Sequence, residues 1–451
     1  MYHRHLICIC FLAAFPLLAF AMTSLGQERT SGEVLTLDRA IELARANNRE
    51  TKRAKFDIDR QRNITAEAKT ALYPRFDTYL LGTELLQPLD FTIKAGQLGT
   101  FPSTGPIPST NIDLHTPARP VAVASATFTQ PITQIPRIRF TIAEQRLNED
   151  LSHEAYKQQH QQTVNDVRRT YYSLLQSQSE AESSRATIRS LEELDQLMER
   201  RLQEKAALKA DSLRVKAEEA KAKYQLITIE DALADRKEAL NRLLCRDLLT
   251  EFSVEPVPIT LPEELDLQAA RKLALAQRPE IKIASIKQKQ ASLETRIEKS
   301  RYLPDISIQA NYLTPAGINF LPQNIGGVGA LLTWQPWDWN QKRHDIAAKV
   351  IAERQTTLTG EDARDRVLLE VDSVFRELRE ARAQLAAAES ARDAEQEKLR
   401  NQTDAYAQQG ILLSDLLQEQ ASLATFNDQY RQALLAFWTA RADFEKALGE
   451  E

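Results

Sequence analysis

The chain carries apolar residues in two patterns, one of period two and one of period three to four. Residues 305–312 alternate polar and apolar without exception, so Ile306, Ile308, Ala310 and Tyr312 share one face, as they would in a β-strand. Runs rich in aromatic and β-branched residues, bounded by proline or glycine, indicate further strands. The predicted strands are 75–84, 121–131, 305–313 and 328–336.

The longer pattern covers most of the remaining chain. Apolar residues recur three or four positions apart at Val164, Val167, Tyr171 and Leu174, which is the narrow seam of a coiled coil. Helical hairpins are predicted at 137–248 and 341–449. At ~1.5 Å per residue the first helix of such a hairpin approaches ~100 Å, which is typical of a tube or stalk rather than a compact globule.

The same order of elements occurs twice. A segment that opens at Leu35 ends at Pro74, and a similar one that opens at Leu265 ends at Pro304, so both ends are 230 positions apart. Each segment is predicted to be one helix, at 37–72 and 267–303, followed by two strands and a hairpin. A period this long indicates a duplicated half-molecule. The predicted structural repeats are 35–260 and 261–451.

The two repeats differ in the loop between their strands. Gln130-Pro131 and Gln335-Pro336 close the second strand of each repeat and are taken to correspond, 205 positions apart. The first repeat therefore has the longer loop. Its residues 87–120 are rich in Pro, Gly, Ser and Thr, and they are predicted to be a loop.

The N-terminus predicts export. Residues 1–21 combine His3, Arg4 and His5 with an apolar run and a small-residue cleavage site, as in a secretory signal peptide, and residues 22–34 are taken as a linker. Cleavage would leave Cys245 as the single cysteine. No later run reaches the ~18 apolar residues of a membrane-spanning helix, so a membrane-spanning part would have to use strands.

Composition supports long helices and gives no sign of an enzyme. The chain has 13 glycines, 18 prolines and 27% charged residues, and its net charge of -5 does not favour nucleic acid as a partner. We find no nucleophile motif, phosphate loop or paired carboxylates in a plausible cleft. His153 and His160 lie seven apart on one helical face, and a metal site needs more ligands than these. We therefore predict neither a cofactor nor a metal.

The chain resembles the outer-membrane efflux proteins typified by TolC, and the resemblance extends from Leu35 to Leu448. The features that carry it are the Leu-x-Leu-x-x-Ala helix openings at Leu35 and Leu265, the helix ends Tyr73-Pro74 and Leu303-Pro304, the strand ends Gln130-Pro131 and Gln335-Pro336, and the returning-helix start Asp415-Leu416-Leu417. Their occurrence in the same order twice makes the combination specific. Four strands cannot close a membrane barrel by themselves, so several chains are expected to pool theirs.

The resemblance implies a mainly α fold with a transmembrane β part. Four strands per chain would contribute to a twelve-stranded outer-membrane β-barrel in a homotrimer, continued by a long α-helical coiled-coil barrel through the periplasm. It also implies a passive exit duct of a tripartite efflux pump or type I secretion system. Its partners would be outer-membrane lipid, a periplasmic adaptor and an inner-membrane transporter.

Candidate gate residues lie at the hairpin tips. Asp211 and Asp415 each begin a returning helix, where a carboxylate can act simply as an N-terminal cap. The resemblance assigns both positions, and Tyr406, to a periplasmic entrance gate. Ile411 and Gln418 depart from the family, which has a gate arginine and a second aspartate there.

Two further groups of residues have a functional and a structural interpretation. At the hairpin tips, exposed side chains would contact an adaptor, or the leucines would pack inside the hairpin; the candidates are Leu208, Lys209, Gly410, Leu412 and Leu413. At the strand-to-helix transition, aromatic residues would form a membrane-interface belt or pack in the core of the elbow. These candidates are Trp334, Trp337, Trp339 and Tyr312.

One alternative of a different class stays open. A soluble periplasmic coiled-coil adaptor or structural protein would also combine long hairpins with a few strands. Two hairpins and the uninterrupted alternation at 305–312 favour the channel.

Overall fold

The computed structural model describes residues 33–204, 208–258, 266–318, 321–407 and 413–450, and it is mainly helical. The helices are α1 (Leu37–Asn47), α2 (Arg49–Thr70), α3 (Ile135–Gln203), α4 (Lys209–Leu244), α5 (Leu267–Gln277), α6 (Pro279–Ser300), α7 (Gln341–Ala407) and α8 (Leu413–Leu448). The strands are β1 (Glu33–Leu35), β2 (Arg75–Glu84), β3 (Leu89–Ile93), β4 (Thr100–Phe101), β5 (Gly105–Pro106), β6 (Ile112–Thr116), β7 (Pro120–Pro131), β8 (Phe252–Val254), β9 (Asp305–Ala316) and β10 (Ile325–Thr333).

The helices come in pairs of matching length. Both α1 and α5 have 11 residues, both α2 and α6 have 22, and both α4 and α8 have 36. The longest helices, α3 and α7, have 69 and 67 residues. At ~1.5 Å per residue each of these two is about 100 Å long.

Each helix expected before a strand is broken in two, so the predictions of single helices at 37–72 and 267–303 were wrong. In the first, Asn48 leaves the helical region and its Oδ1 accepts hydrogen bonds from the backbone N–H groups of Glu50 and Thr51, at 2.9 and 3.1 Å. Asn48 is thus the N-cap of α2 and also the residue at which α1 ends, because an N-cap residue has a non-helical backbone. In the second, Pro279 disfavours the helical backbone conformation at the preceding residue, Arg278, so the helix is interrupted there.

Both breaks are tied to the end of a returning helix. Asn48 Nδ2 donates to the carbonyl of Leu243 at 3.1 Å, and the Arg278 guanidinium donates to the carbonyl of Ala447 at 3.3 Å. Arg278 also pairs with Glu370 at 2.7 Å. The two breaks therefore fix the short helices against α4 and α8.

Four strands form an antiparallel sheet in the order β10-β9-β7-β2. The strand expected at 75–84 has the bounds of β2, and β7 and β9 extend the expected 121–131 and 305–313 by one and three residues. The prediction of 328–336 for the last strand was shifted, because the ladder ends where Thr333 faces Asp305, the first residue of β9. Residues 334–336 have no partner strand in this sheet.

The register also corrects the pairing of the two Gln-Pro motifs. Thr129 faces Arg75 in the first hairpin, and Thr333 faces Asp305 in the second. Arg75 and Asp305 are 230 positions apart, and Thr129 and Thr333 are 204 apart rather than 205. The strand partners therefore relate the second strands of the two repeats by 204 positions. By this offset Trp334, not Gln335, corresponds to Gln130.

The segment 87–120, expected to be a loop, contains four short strands. β3 pairs with β6, and β4 pairs with β5, which prolongs the β2–β7 hairpin as a ribbon. Gly96 and Gly99, at φ +77° and +111°, turn the chain between β3 and β4. Turn-rich composition hid strands of only two to five residues.

The main core lies beside the helical breaks. β1 pairs in parallel with β8, so Glu33 and Val34, expected in a linker at 22–34, belong to a strand. The buried residues of this cluster include Leu35, Val167, Tyr171, Leu174, Leu240 and Leu244. A second cluster includes Val367, Val371, Phe444 and Leu448. The long helices lie in the row α4-α3-α8-α7, because α3 packs against α4 and α8, and α8 packs against α7.

Candidate functional site

One face of the four-stranded sheet is apolar. Side chains that face each other across neighbouring antiparallel strands point to the same side. One such row contains Phe76, Phe128, Ala310 and Val328. The residues of this face, called the apolar face below, include Phe76, Leu80, Ala124, Ala126, Phe128, Ile306, Ile308, Ala310, Tyr312, Val328, Ala330 and Leu332. Its single charged residue is Glu84, at the far end of β2.

The opposite face is polar next to the helices. Its rows there contain Arg75, Asp77, Thr127, Thr129, Ser307, Gln309, Asn311 and Thr333. Further from the helices it becomes more apolar, at Tyr79, Leu81, Val123 and Leu313. This face is called the polar face below. A sheet with one apolar and one polar side suits a boundary between lipid and water.

Both edges of the sheet lack a partner strand in the described chain. β10 pairs with β9 alone and β2 pairs with β7 alone. Large apolar side chains on these two strands are exposed, among them Phe76, Leu80, Val328, Leu331 and Leu332. An unpaired edge beside an exposed apolar face is incompatible with a hydrocarbon environment unless another strand covers it.

A polar joint connects the sheet to the long helices within the chain. The Thr133 hydroxyl donates to the carbonyl of Pro304 and accepts from the backbone N–H of Ile306, both at 2.7 Å. Arg137 pairs with Asp305 at 2.7 Å. The start of α3 is thereby held to the start of β9.

The corresponding segment after β10 is organised by a lysine. The Lys342 ammonium pairs with Asp338 at 3.2 Å and donates to the carbonyl of Gln335 at 2.6 Å, and the lysine is buried. Burial alone would raise the pKa of the Asp338 carboxyl, but hydrogen bonds from the backbone and side chain of Lys342 lower it. The pair was not predicted, although its i, i+4 spacing at the start of a helix is visible in the sequence.

The candidate aromatic belt is exposed. Trp334, Trp337 and Trp339 are all exposed, which excludes packing in the core of the elbow. The rings of Trp337 and Trp339 meet edge to face, with centroids 6.3 Å apart. Trp339 and Asn340 have φ of +54° and +67°, and this left-handed pair turns the chain into α7. Tyr312 is also exposed, and its hydroxyl bonds Asn324 at 2.5 Å.

The predicted gate residues lie close to the hairpin ends. Asp211 and Asp415 are the third residues of α4 and α8, so neither is the N-cap, a position that Leu208 occupies in α4. Asp415 is exposed in the first turn, where the helix dipole favours a carboxylate. Tyr406 is the penultimate residue of α7. The side chains of Asp211 and Tyr406 lie outside what the structure describes.

The candidate docking residues are described in part. Leu208 is 70% exposed, so it does not pack inside its hairpin, and Lys209 is exposed at the start of α4. Gly410 and Leu412 lie outside the described residues. Leu413 begins α8, but its side chain lies outside them as well.

Ion pairs link the two arms of each hairpin near its end. Lys216 in α4 pairs with Glu199 in α3 at 2.7 Å, and Lys398 in α7 pairs with Glu419 in α8 at 2.7 Å. The hydrogen bond from Ser422 lowers the pKa of Glu395 on the second hairpin. These contacts link the two arms of each hairpin near its end.

No helix within the described ranges is long and apolar enough to cross a membrane. Among the same residues, no three His, Cys, Asp or Glu side chains converge as metal ligands would.

Comparison with known proteins identifies the fold. A model of the family described as outer membrane efflux protein matches residues 40–246. The outer membrane channel CmeC of Campylobacter jejuni has a TM-score of 0.74 at 14% identity, over 92% of this chain and 85% of that one. CusC has a TM-score of 0.72 at 15% identity, over 95% and 96%. VceC of Vibrio cholerae has a TM-score of 0.71 at 16% identity, over 92% and 96%. Curated protein sequences give no match.

The family model matches the first half of the chain, from α1 to α4. The similarity of fold to solved channels extends over the second half as well. The match starts at Ala40 in α1 and ends at Arg246, just after α4. The solved channels share the fold along at least 92% of the chain. The resemblance read from the sequence is therefore confirmed: residues 40–246 match the outer membrane efflux protein family, and the chain shares its fold with solved outer membrane channels.

Proposed function

We propose that three copies of the chain form a sealed exit channel of a tripartite efflux pump or a type I secretion system. Each copy would contribute its four strands to a twelve-stranded outer-membrane barrel, with the apolar face toward lipid and the polar face toward water. The observation that carries this proposal is the two-faced sheet with two open edges. It is consistent with the fold shared with solved outer membrane channels.

The strands have a suitable length for this role. Those of the sheet have 9 to 12 residues, and a tilted membrane strand needs about 9–11. The long helices would continue the barrel into the periplasm as an α-helical tube. Matching helix lengths in the two halves support an internal duplication, so that three chains would supply six similar segments of wall.

The hairpin ends would form the periplasmic entrance. Asp211, Asp415 and Tyr406 are proposed gate residues, because several copies would bring these carboxylates around one opening. Leu208 and Lys209, which are exposed, and Gly410, Leu412 and Leu413 are proposed contacts for a periplasmic adaptor. The adaptor would connect the channel to an inner-membrane transporter.

Conductance measurements test the proposal directly. Purified mature protein added to a planar lipid bilayer should produce discrete conductance steps, because a closed barrel gives ions a water path. A matched control is the same protein unfolded by heat before addition. The expected particle in detergent is a trimer. A mature protein that stays soluble and monodisperse without detergent, and gives no conductance steps, would instead be a soluble coiled-coil protein.

A further inference from the structure

The ribbon formed by β3 to β6 has two unlike sides. Residues that face each other in its β3–β6 ladder point alternately to a polar and to an apolar side. The polar side makes contacts of its own, because the Thr92 hydroxyl donates to Asp113 at 2.6 Å and Asp90 contacts His115. The opposite side is called the apolar side of the ribbon below, and its residues are Leu89, Phe91, Ile93, Ile112, Leu114 and Thr116.

Much of this apolar side is exposed. Leu89, Phe91 and Ile112 are 46%, 55% and 43% exposed. Within the described chain no third strand joins β3 and β6. A two-stranded ribbon is only marginally stable in water by itself. A partner that buries these side chains would therefore stabilise the ribbon.

The base of the ribbon is fixed to the turn that follows β9. The Arg119 guanidinium donates twice to the carbonyl of Gly317, at 2.9 and 2.7 Å. Gly317 has a φ of +88°, and a Cβ there would lie 2.8 Å from the Pro120 carbonyl oxygen and 3.1 Å from the Val121 side chain. The turn after β9 thus lies directly against the start of β7, where the ribbon joins the sheet.

At this end of the sheet the polar face is the covered one. Val121 and Pro315 belong to the polar face, and both are buried. At the same level of the apolar face, Glu84 and Pro120 are exposed. Thr116, the residue of the ribbon's apolar side nearest the base, is fully buried. These burials indicate that the ribbon leans toward the polar face, which the proposed barrel turns toward water.

The ribbon is long enough to reach the axis of the proposed barrel. Twelve strands ~4.8 Å apart and tilted by ~40° form a barrel with a radius of about 12 Å. The five facing pairs of β3 and β6 alone extend over about 17 Å, at ~3.4 Å per residue. Three ribbons that lean inward from the rim would therefore meet above the opening.

We propose that the apolar sides of the three ribbons pack against one another over the outer mouth of the channel and constrict it. The partner of each ribbon is thus the same ribbon in the other copies. A threefold axis brings identical side chains together, so Leu89, Phe91 and Ile112 of three copies form one apolar cluster. The polar sides, with Asp90 and Asp113, remain in water. This inference rests on the proposed function, because it uses the trimeric barrel.

Single cysteines on the ribbon test the contact. In a Cys245→Ser background, Phe91→Cys should give covalent dimers on denaturing gels after mild oxidation. At most about two thirds of the chains should be joined, because three thiols around one axis leave one unpaired. The matched control is Thr92→Cys, an exposed neighbour on the polar side, which should give far less dimer. Equal dimer from both variants, or none from Phe91→Cys, would overturn the contact.

Conductance of the same variants tests the constriction. Oxidation should lower the single-channel conductance of Phe91→Cys in planar bilayers, because the bond holds two ribbons over the mouth, and a reducing agent should restore it. Thr92→Cys should respond to neither treatment. Dimers that form without any change of conductance would show that the ribbons touch beside the water path, which would contradict the constriction.

Lipid is the rival occupant of the apolar side. A fluorophore attached to Phe91→Cys in proteoliposomes should be unaffected by brominated lipid, which quenches probes that touch acyl chains. A fluorophore on Val328→Cys, an exposed position on the apolar face of the sheet, is the positive control and should be quenched. Quenching at position 91 would assign the ribbon to the membrane surface and overturn the proposal.

The outcomes separate this inference from the proposed function. A protein that is trimeric in detergent and conducts, but gives no dimer through Phe91→Cys, would leave the exit channel intact and refute the contact between ribbons. A protein that stays monomeric and does not conduct would refute both.

Discussion

At the scale of single residues, Tyr171 joins three segments of the main core. Its hydroxyl lies 2.9 Å from the carbonyl of Leu35 and 2.8 Å from that of Glu255, and accepts from the backbone N–H of Glu255 at 3.0 Å. A hydroxyl has one proton, so it donates to one of these carbonyls at a time. Tyr171 thereby connects α3 to the ends of β1 and β8.

The substitution Tyr171→Phe should destabilise the protein. It leaves buried backbone groups without their partner, which costs about 1–3 kcal/mol of unfolding free energy. We expect a lower melting temperature by circular dichroism. The control is Tyr224→Phe, which removes a hydroxyl from an exposed side chain on α4. Equal melting temperatures for the variant at position 171 and the wild type would refute the role of the hydroxyl.

The same hydroxyl predicts a pH dependence. Burial raises the pKa of Tyr171 from 10.0 to about 12. Because the folded-state pKa is the higher one, the stabilisation is complete below pH 10 and is lost as the pH rises toward 12. The difference in melting temperature between wild type and Tyr171→Phe should therefore shrink over this interval.

At the scale of elements, the helices and strands that depend on a local pattern of residues were predicted from the sequence. The helices of both hairpins were recognisable from their apolar seam, and β2 from its composition and the proline before it. The break at Asn48 was missed because its cause includes a contact with Leu243, 195 positions away. The end of β10 was misplaced because a ladder ends where its partner strand begins, which the strand's own sequence does not encode.

The candidate site was predictable to a similar degree. The alternation at 305–312 indicated one apolar face of one strand, but the common faces of four strands required the register. The tryptophans were identified from composition, and their exposure required the structure. Asp211 and Asp415, expected to begin the returning helices, are each the third residue of their helix rather than its cap.

The hairpin ends carry a prediction about gating. The double variant Asp211→Asn and Asp415→Asn should raise single-channel conductance in planar bilayers, because it removes charges proposed to hold the entrance closed. The increase should be modest, since exposed ionic links contribute about 0.2–1 kcal/mol each. Glu218→Gln, an exposed acid further along α4, is the control. Unchanged conductance in the double variant would eliminate these carboxylates as gate residues.

At the scale of the whole molecule, the chain has two unlike flanks. One flank presents β2, α2 and α4, and the other presents β10 and α7. Exposed apolar residues lie on both, including Phe56 and Tyr224 on the first and Val328 and Leu369 on the second. Two different flanks that complement each other generate a closed ring when the rotation between copies closes. In the proposed trimer, one contact of this kind would cover both the open strand edges and the exposed helix faces.

The exposed Phe56 on α2 gives a prediction on the proposed assembly, in which a second copy would cover its ring. Phe56→Glu should shift the detergent-solubilised protein from trimer toward monomer, because the buried ring would contribute about 1.5–3 kcal/mol at each contact and a charge there would be costly. Its own chain should still fold, since Phe56 is 70% exposed there. Circular dichroism checks the fold, and light scattering in detergent measures the mass.

The conservative variant Phe56→Leu separates packing from a general effect of substitution. It keeps an apolar side chain and should remain largely trimeric. Ile286→Glu tests the counterpart position in α6, 230 positions later, where the side chain is buried within its own chain, and it should reduce helicity as well as assembly. A Phe56→Glu protein that stays trimeric would show that α2 faces solvent in the assembly, and the helical part of the contact between copies would then have to lie elsewhere on the flank.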